Sequence, residues 1–594
     1  MNLLLDSWQV LSLDKWPIFV ILACMSWGTI ILAVGLGSFA DLKFNISEYS
    51  SLALAGWVVP LFPVSILVFA LAVLFHVRPN VQVAIAAFAL SLGLVIWANR
   101  RARRKNPRGS ALTAIALWGI LLLSTFLHLA FAARTPLPLY IDSAQHYLII
   151  QNLVKDFTET NALKNFIWPV PVYYHLGFHF ITALLAAAFQ LNISEAMLIL
   201  GQIIVGSAAI PLFFLVRLET GLDAAGLFAV LLGSFGWYMP AFAVNWGKYP
   251  ALLSLLTTQF CLGILYLIGK YRTFSKSRRL IAVGAFSIAI SLLIHTRSII
   301  LIGMGFTAWA SAGWWKSQRF EWRVLVLGIM AGGLLIESIL IRNNSNLRPL
   351  FDPYLGNTVW MTGFVGLLSI PAFKKHPQFA FACWASILFL LLGLFIPIPH
   401  VTDLTLLDRP LVEMVLFIPL SLLGGLGYAA SSSLVPAGFG GMKLIGTVLF
   451  VGAIIVHAFM SYSFYPSDCC MIVTQDDAVA LDWLDKHTPP AALTAISSTE
   501  LRITASSRNP QTAGSDAGVW ITPLTNRPTF LLPFSTDFSR SDTLSFLCKH
   551  EISNIYVDDK PQSFNRASVE EKPDWYKNIL FLPGAQIFQV TGCK

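Results

Sequence analysis

Apolar runs of membrane-crossing length alternate with short polar breaks over most of this chain. A spanning helix needs about 20 largely apolar residues. Runs of this kind cover 16–39, 51–75, 81–98, 110–133, 196–217, 222–238, 250–269, 280–294, 298–313, 324–341, 358–372, 379–396, 411–429 and 443–463. The pattern predicts a mainly α polytopic membrane protein with about 14 spanning helices. Pro60 and Pro63 predict a kink in the second run. A further run, 175–191, is short.

Basic residues orient the helices. Arg100-Arg101-Ala102-Arg103-Arg104-Lys105 forms the strongest cluster, followed by Lys270 to Arg279, Lys316 to Arg323 and Lys374-Lys375. Such clusters mark cytoplasmic loops. All fall on one side only if 175–191 does not span, so it is expected to dip into or lie on the surface. Residues 134–195, 239–249, 295–297, 342–357 and 397–410, the N-terminus and the tail from 464 onward then share the outer face. The start Met1-Asn2-Leu3-Leu4-Leu5-Asp6 lacks the basic residues of a signal peptide, so the first run is expected to remain as an anchor.

From Ser467 the pattern becomes that of a soluble domain. Asp476 or Asp477 is expected to cap a helix through Asp485 that Pro489-Pro490 ends. Leu493 to Ile496, Ile552 to Val557 and Gln586 to Val590 read as strands rich in β-branched residues. Three regions result: additional N-terminal transmembrane helices (1–109), a transmembrane region with an outer loop at 134–195 (110–463), and a small extracytoplasmic α/β domain (464–594).

Composition agrees. Apolar residues make up 56% of the 594 and charged residues 12%, against about 25% charged in soluble domains. The net charge of +9 sits in loops between apolar runs and argues for membrane orientation, not nucleic-acid binding. Cys24, Cys261 and Cys383 lie in apolar runs. Cys469, Cys470, Cys548 and Cys593 lie in the polar tail, where one or two disulfides would fit an oxidising compartment, with the pairing left open.

Chemistry-bearing residues gather on the outer segments. Asp142, Gln145 and His146 sit at helical spacings of three and four, so they are expected to share one face. Asp142 suits a general base, with a helix-capping role beside Gln145 as its structural counterpart. The Pro-rich approach Trp168-Pro169-Val170-Pro171-Val172-Tyr173-Tyr174-His175 leads into the short run containing His179. Lys248, Arg297 and Arg409 are outer-face cations that could hold a phosphate, with His400 and Asp403 on the last of these loops and Glu337 as a possible partner. There is no Walker loop, dinucleotide fingerprint or zinc spacing, so an activated substrate is expected to arrive through the membrane.

The early outer-loop Asp of Ile141-Asp142-Ser143-Ala144-Gln145-His146, the following Pro169-Val170-Pro171-Val172-Tyr173-Tyr174, the short helix and the late outer Arg409 resemble the GT-C superfamily of membrane glycosyltransferases, including its protein mannosyltransferase and aminoarabinose transferase branches. The resemblance covers roughly 110–430. It implies transfer of a sugar from a polyprenyl-phosphate donor to a glycan, lipid or protein acceptor at the outer face of the plasma or inner membrane, usually with inversion, with Asp142 as general base. Tyr173, Tyr174, His175, Gln145 and His146 would support it, and Lys248, Arg297, Arg409 and His400 would hold the donor phosphate. Many relatives carry a second acidic residue where this chain has Ser143. No cofactor is expected, and a role for a divalent metal is left open. Asp516-Ala517-Gly518-Val519-Trp520 and Arg527 resemble parts of the outer domains that some relatives append. The competing readings are a transporter or flippase, against which the chain shows no paired repeat with broken helices, and a non-catalytic assembly subunit.

Overall fold

The computed structural model describes residues 2–13, 16–37, 46–98, 111–158, 175–270, 274–398, 404–434, 440–462, 464–501 and 511–593. The chain is mainly helical, with a small sheet near its C-terminus. Among the described residues, six helices are long and apolar enough to cross a membrane: Trp16–Leu36, Ala111–Ala133, Ile193–Thr220, Tyr249–Lys270, Phe320–Asn343 and Arg409–Leu434. A seventh is a pair, Ser47–Ala55 and Val58–Leu74, bent by 44°. Other apolar runs form shorter helices, among them Val81–Trp97, Asp223–Phe235, Pro377–Leu392 and Ile445–Met460.

The kink expected in the second run is present, with its break at Gly56 and Trp57, one turn ahead of Pro60. It falls at Gly56, where an added β-carbon would lie 2.6 Å from Leu32 and 2.7 Å from Phe260. Pro60 follows in the first turn of Val58–Leu74; it has no N–H to offer the Gly56 carbonyl and its ring would crowd that carbonyl, so a continuous helix is opposed at this point. Pro60 and the close packing at Gly56 thus coincide at the break.

The helix Phe320–Asn343 buries only Met330, Glu337 and Ile341. It turns Ile329, Leu335 and Ile336 outward, each at least 60% exposed. Apolar exposure on this scale is compatible with a lipid surrounding.

The short run folds as Gly177–Phe189, 13 residues, about 20 Å long and so under the bilayer core. It is not a surface helix, however. Ten of its residues, from Gly177 through Leu185 and Ala188, are buried, and it packs on the helices Ile141–Thr158, Val58–Leu74 and Ile193–Ser207. Its apolar surface runs round the whole helix, so neighbouring helices enclose it.

The sheet contains β1 (Leu493–Leu501), β2 (Gln511–Gly514), β3 (Thr529–Pro533), β4 (Ile552–Asp558), β5 (Tyr576–Phe581) and β6 (Ala585–Val590). Its order is β2-β1-β4-β6-β5, with β3 also paired to β1. β1 runs parallel to β3 and β4; the other pairs are antiparallel. The helix Gln475–His487 is capped by Thr474 rather than by either aspartate alone. The Thr474 hydroxyl accepts from Asp477 N, and the Asp477 carboxylate accepts from Thr474 N at 2.7 Å. This is a reciprocal capping box.

Cys548 pairs with Cys593 and Cys469 with its neighbour Cys470, while Cys24, Cys261 and Cys383 are buried thiols. One face of the sheet shares a core, including Ile496, Trp520, Tyr556 and Ile587, with Leu137 and Ala144 from the Ile141–Thr158 region. Lys155 adds a 2.6 Å hydrogen bond to Asn526. The sheet thus rests on the helix that carries Asp142.

Candidate functional site

Asp142 lies in the first turn of Ile141–Thr158, where the helix dipole favours a negative charge. The chain enters that turn through Tyr140 at φ 66°, held there by a 3.2 Å bond from its N–H to the Cys470 carbonyl. Ser143 locks the turn from inside, its hydroxyl donating to the Leu139 carbonyl. Against this turn packs Gly247, at φ 64°. A β-carbon there would lie 2.5 Å from Ser143 Oγ, so only glycine allows the approach. The next residue, Lys248, donates from Nζ to Asp142 Oδ2 at 2.5 Å. Burial, the largest single influence, pulls the ammonium down, but Asp142 together with Asp408 and Tyr140 holds Lys248 above the ordinary lysine value.

The other two cations are also paired. Arg297 donates to the Asp408 carboxylate. Arg409 lies 3.1 Å from Glu413 and donates to the Asn346 carbonyl at 3.0 Å. Asp408 also caps the helix Arg409–Val415, accepting from Leu411 N at 2.9 Å. The pairs form one patch: Asp408 acts electrostatically on Lys248, while Asp142, Lys248 and Arg409 act on Tyr140. Three cations thus converge with Asp142, each with a carboxylate partner in place.

Histidines line the inner side of the patch. His146 Nδ1 lies 3.0 Å from His179 Nε2, and His179 Nδ1 donates to the His175 carbonyl at 2.6 Å. The His175 and His295 rings are 4.2 Å apart. Burial, then Lys248 and His175, lower the His146 pKa to about 3. Burial, then Arg297 and Lys248, lower His175 to about 4, and His295 is also pushed well down, first by burial. At neutral pH these groups are uncharged hydrogen-bonding walls rather than further cations.

The structure corrects the sequence reading at several positions. Gln145 is exposed, whereas Asp142 is half-buried and His146 buried, so the three do not point together; His146 faces the bundle and Gln145 faces away. Glu337 is buried with no hydrogen-bond partner for either carboxylate oxygen, and Asp408 and Glu413 pair with the arginines instead. Arg527 pairs with Asp485 at 2.6 Å and donates to the Thr488 carbonyl, a structural role. Tyr173, Tyr174, His400 and Asp403 lie outside the described residues.

Asp408, Glu413, Tyr140 and His295 are site residues that the sequence reading passed over. Asp408 carried one signal, since an Asp directly before Arg409-Pro410 is a helix start. Among the described residues, no group of three or more His, Cys, Asp or Glu is arranged to hold a metal ion.

Beside the patch an apolar slot of about 240 Å³ opens between helices. Leu301, one turn beyond Arg297, and Val415, under two turns beyond Arg409, line it near the patch. Tyr266, Gly269, Trp309 and Phe379 line it farther along. The arrangement offers a carboxylate and cations, with an apolar slot starting one to two turns along the helices that Arg297 and Arg409 begin. Compared with known proteins, the chain matches no family model and no curated sequence.

Proposed function

We propose that this chain is an integral membrane glycosyltransferase that moves a sugar from a polyprenyl-phosphate donor to an acceptor hydroxyl at the outer face, with Asp142 as the base. One observation carries the reading: the Asp142 carboxylate is ion-paired to Lys248, and Arg297 and Arg409 head the two helices whose Leu301 and Val415 line an apolar slot. A phosphate ester with a long hydrocarbon tail matches both parts of that region.

The ion pairs suggest how binding prepares the reaction. An arriving phosphate offers Lys248 and the two arginines oxygen acceptors in place of Asp142, Asp408 and Glu413. The exchange releases Asp142 from Lys248 and leaves it free to accept the proton of the acceptor hydroxyl. The acceptor oxygen bonds to the sugar C1 as the C1–O bond to phosphate breaks. The proton passes to Asp142, and the electron pair leaves on the polyprenyl phosphate, whose charge the cations stabilise.

Proteoliposomes supplied with a labelled polyprenyl-phosphate sugar test this. Label should pass to an acceptor with the wild-type chain and fail to pass with Asp142→Asn, with expression and insertion unchanged. Full transfer by Asp142→Asn removes the base assignment. Translocation of the donor without bond cleavage replaces the transferase by a flippase.

A further inference from the structure

A second site lies in the sheet domain. β3 and β4 are both parallel to β1 and flank it. Beyond their carboxyl ends the chain turns outward through 534–537 and 559–566, enclosing a cleft of about 600 Å³. Crevices outside the carboxyl ends of parallel strands are recurrent ligand sites, and this volume lies within the usual range for small-molecule pockets.

The lining decides the ligand class. Asp537 and Asp559 supply acceptors, Lys560 and Arg566 supply donors, Asn565 supplies an amide, and the Phe534 ring is 38% exposed at the rim. A phosphate would meet the carboxylates of Asp537 and Asp559. A cationic ligand would meet Lys560 and Arg566. A hydrocarbon would meet polar groups over about half of the walls. A sugar fits the mixture, because each hydroxyl both donates and accepts and its C–H face can lie on an aromatic ring.

We propose that this cleft binds a neutral carbohydrate. The inference goes beyond the transferase reading and stands without it.

The floor of the cleft is framework and connects it to the rest of the protein. Asp558 is buried; its Oδ1 accepts from Lys560 N at 2.7 Å and its Oδ2 from Ala517 N at 3.1 Å. Ala517 opens the short helix Ala517–Trp520, whose Trp520 ring packs on Tyr147 of the Asp142 helix. The cleft floor is therefore joined through Ala517–Trp520 to the helix that carries Asp142.

Saturation-transfer NMR on the full-length protein, in a detergent without a sugar headgroup, tests the proposal. The probes are methyl glycosides of glucose, mannose and galactose, with inorganic phosphate as competitor. At least one glycoside should receive saturation. Asp559→Asn, Arg566→Ala and Lys560→Ala, each at an unchanged melting temperature, should weaken it by about tenfold or more, and Asp142→Asn should leave it intact. The proposal is overturned if no glycoside is saturated, if the three cleft variants retain binding, or if phosphate displaces the sugar. A signal lost only in Asp142→Asn would place the sugar at the other site and would also overturn it.

Discussion

Tyr147 and Trp520 meet edge to face, with ring centroids 5.5 Å apart and planes inclined at 71°. The first sits five positions beyond Asp142 on the same helix; the second is fully buried in the sheet domain. The domain is thus fastened to the candidate base through one helix.

Trp520→Ala should loosen that fastening. Replacing a buried aromatic by alanine costs about 3–5 kcal/mol, and here the cavity would open at the contact between domain and helix. Hydrogen exchange over 141–158 should speed up, and transfer should fall with it. Unchanged exchange in this helix would show that Trp520 stabilises its own domain alone.

Gly247→Ala is the sharpest steric test of the site. The residue has φ 64°, and the new β-carbon would press on Ser143 Oγ at 2.5 Å and Ser143 N at 3.0 Å. Lys248 must then withdraw from Asp142, and activity should drop at least about tenfold, equivalent to ~1.4 kcal/mol. Gly35→Ala, which meets nothing within 4 Å, should behave as wild type. Equal activity in the two variants would refute the tight approach.

The two parts of the protein should respond oppositely to pH. His146 and His175 titrate at about 3 and about 4 when folded, against 6.5 ordinarily. Below 6.5 the unfolded chain takes up protons that the folded site refuses, so stability of the helical part falls as pH drops through that value. In the sheet domain, burial and the neighbouring Asp516 push Asp558 up to about 8. The folded form then holds a proton that the unfolded form has lost above 3.8. That contribution is present at low pH and disappears as pH rises through about 8. Thermal melts followed separately by a bundle probe and a sheet-domain probe should shift in opposite directions between about pH 5 and about pH 9; parallel shifts would contradict the assignment.

Removing the Cys548–Cys593 bridge should destabilise the sheet domain specifically. It joins residues 45 apart, a loop whose closure is worth about 4 kcal/mol in the chain-entropy estimate. Cys548→Ser should lower the melting temperature of this domain, and a reducing agent should have little further effect on that transition. A large further loss on reduction would point to Cys469–Cys470 as the stabilising bridge.

The helical class and the C-terminal change of pattern were legible because apolar periodicity is local. The strands expected at Leu493, Ile552 and Gln586 all form, since β-branched runs bounded by turn residues favour extended chain. β2, β3 and β5 carry weaker signals and form by pairing with those stronger strands. The run at 175–191 read correctly as too short to span, but its apolar character all round meant enclosure by helices, not a surface position.

For the site, sequence spacing singled out Asp142, and tertiary contact supplied its environment. Lys248 lies 106 positions away from it, a distance over which local pattern carries no information about pairing. Gln145 looked equivalent to His146, but neighbouring helices bury one side of the helix and leave the other exposed.

What the linear chain determined by itself is where helices and strands begin, because hydrophobic period, caps and turn residues act over a few neighbouring positions. Only the folded molecule decided which carboxylate meets which cation, how closely other helices approach the bend at Gly56, and that the sheet rests on the Asp142 helix. Those outcomes depend on close packing between segments far apart in sequence, where a few tenths of an ångström and a single β-carbon determine which groups can touch.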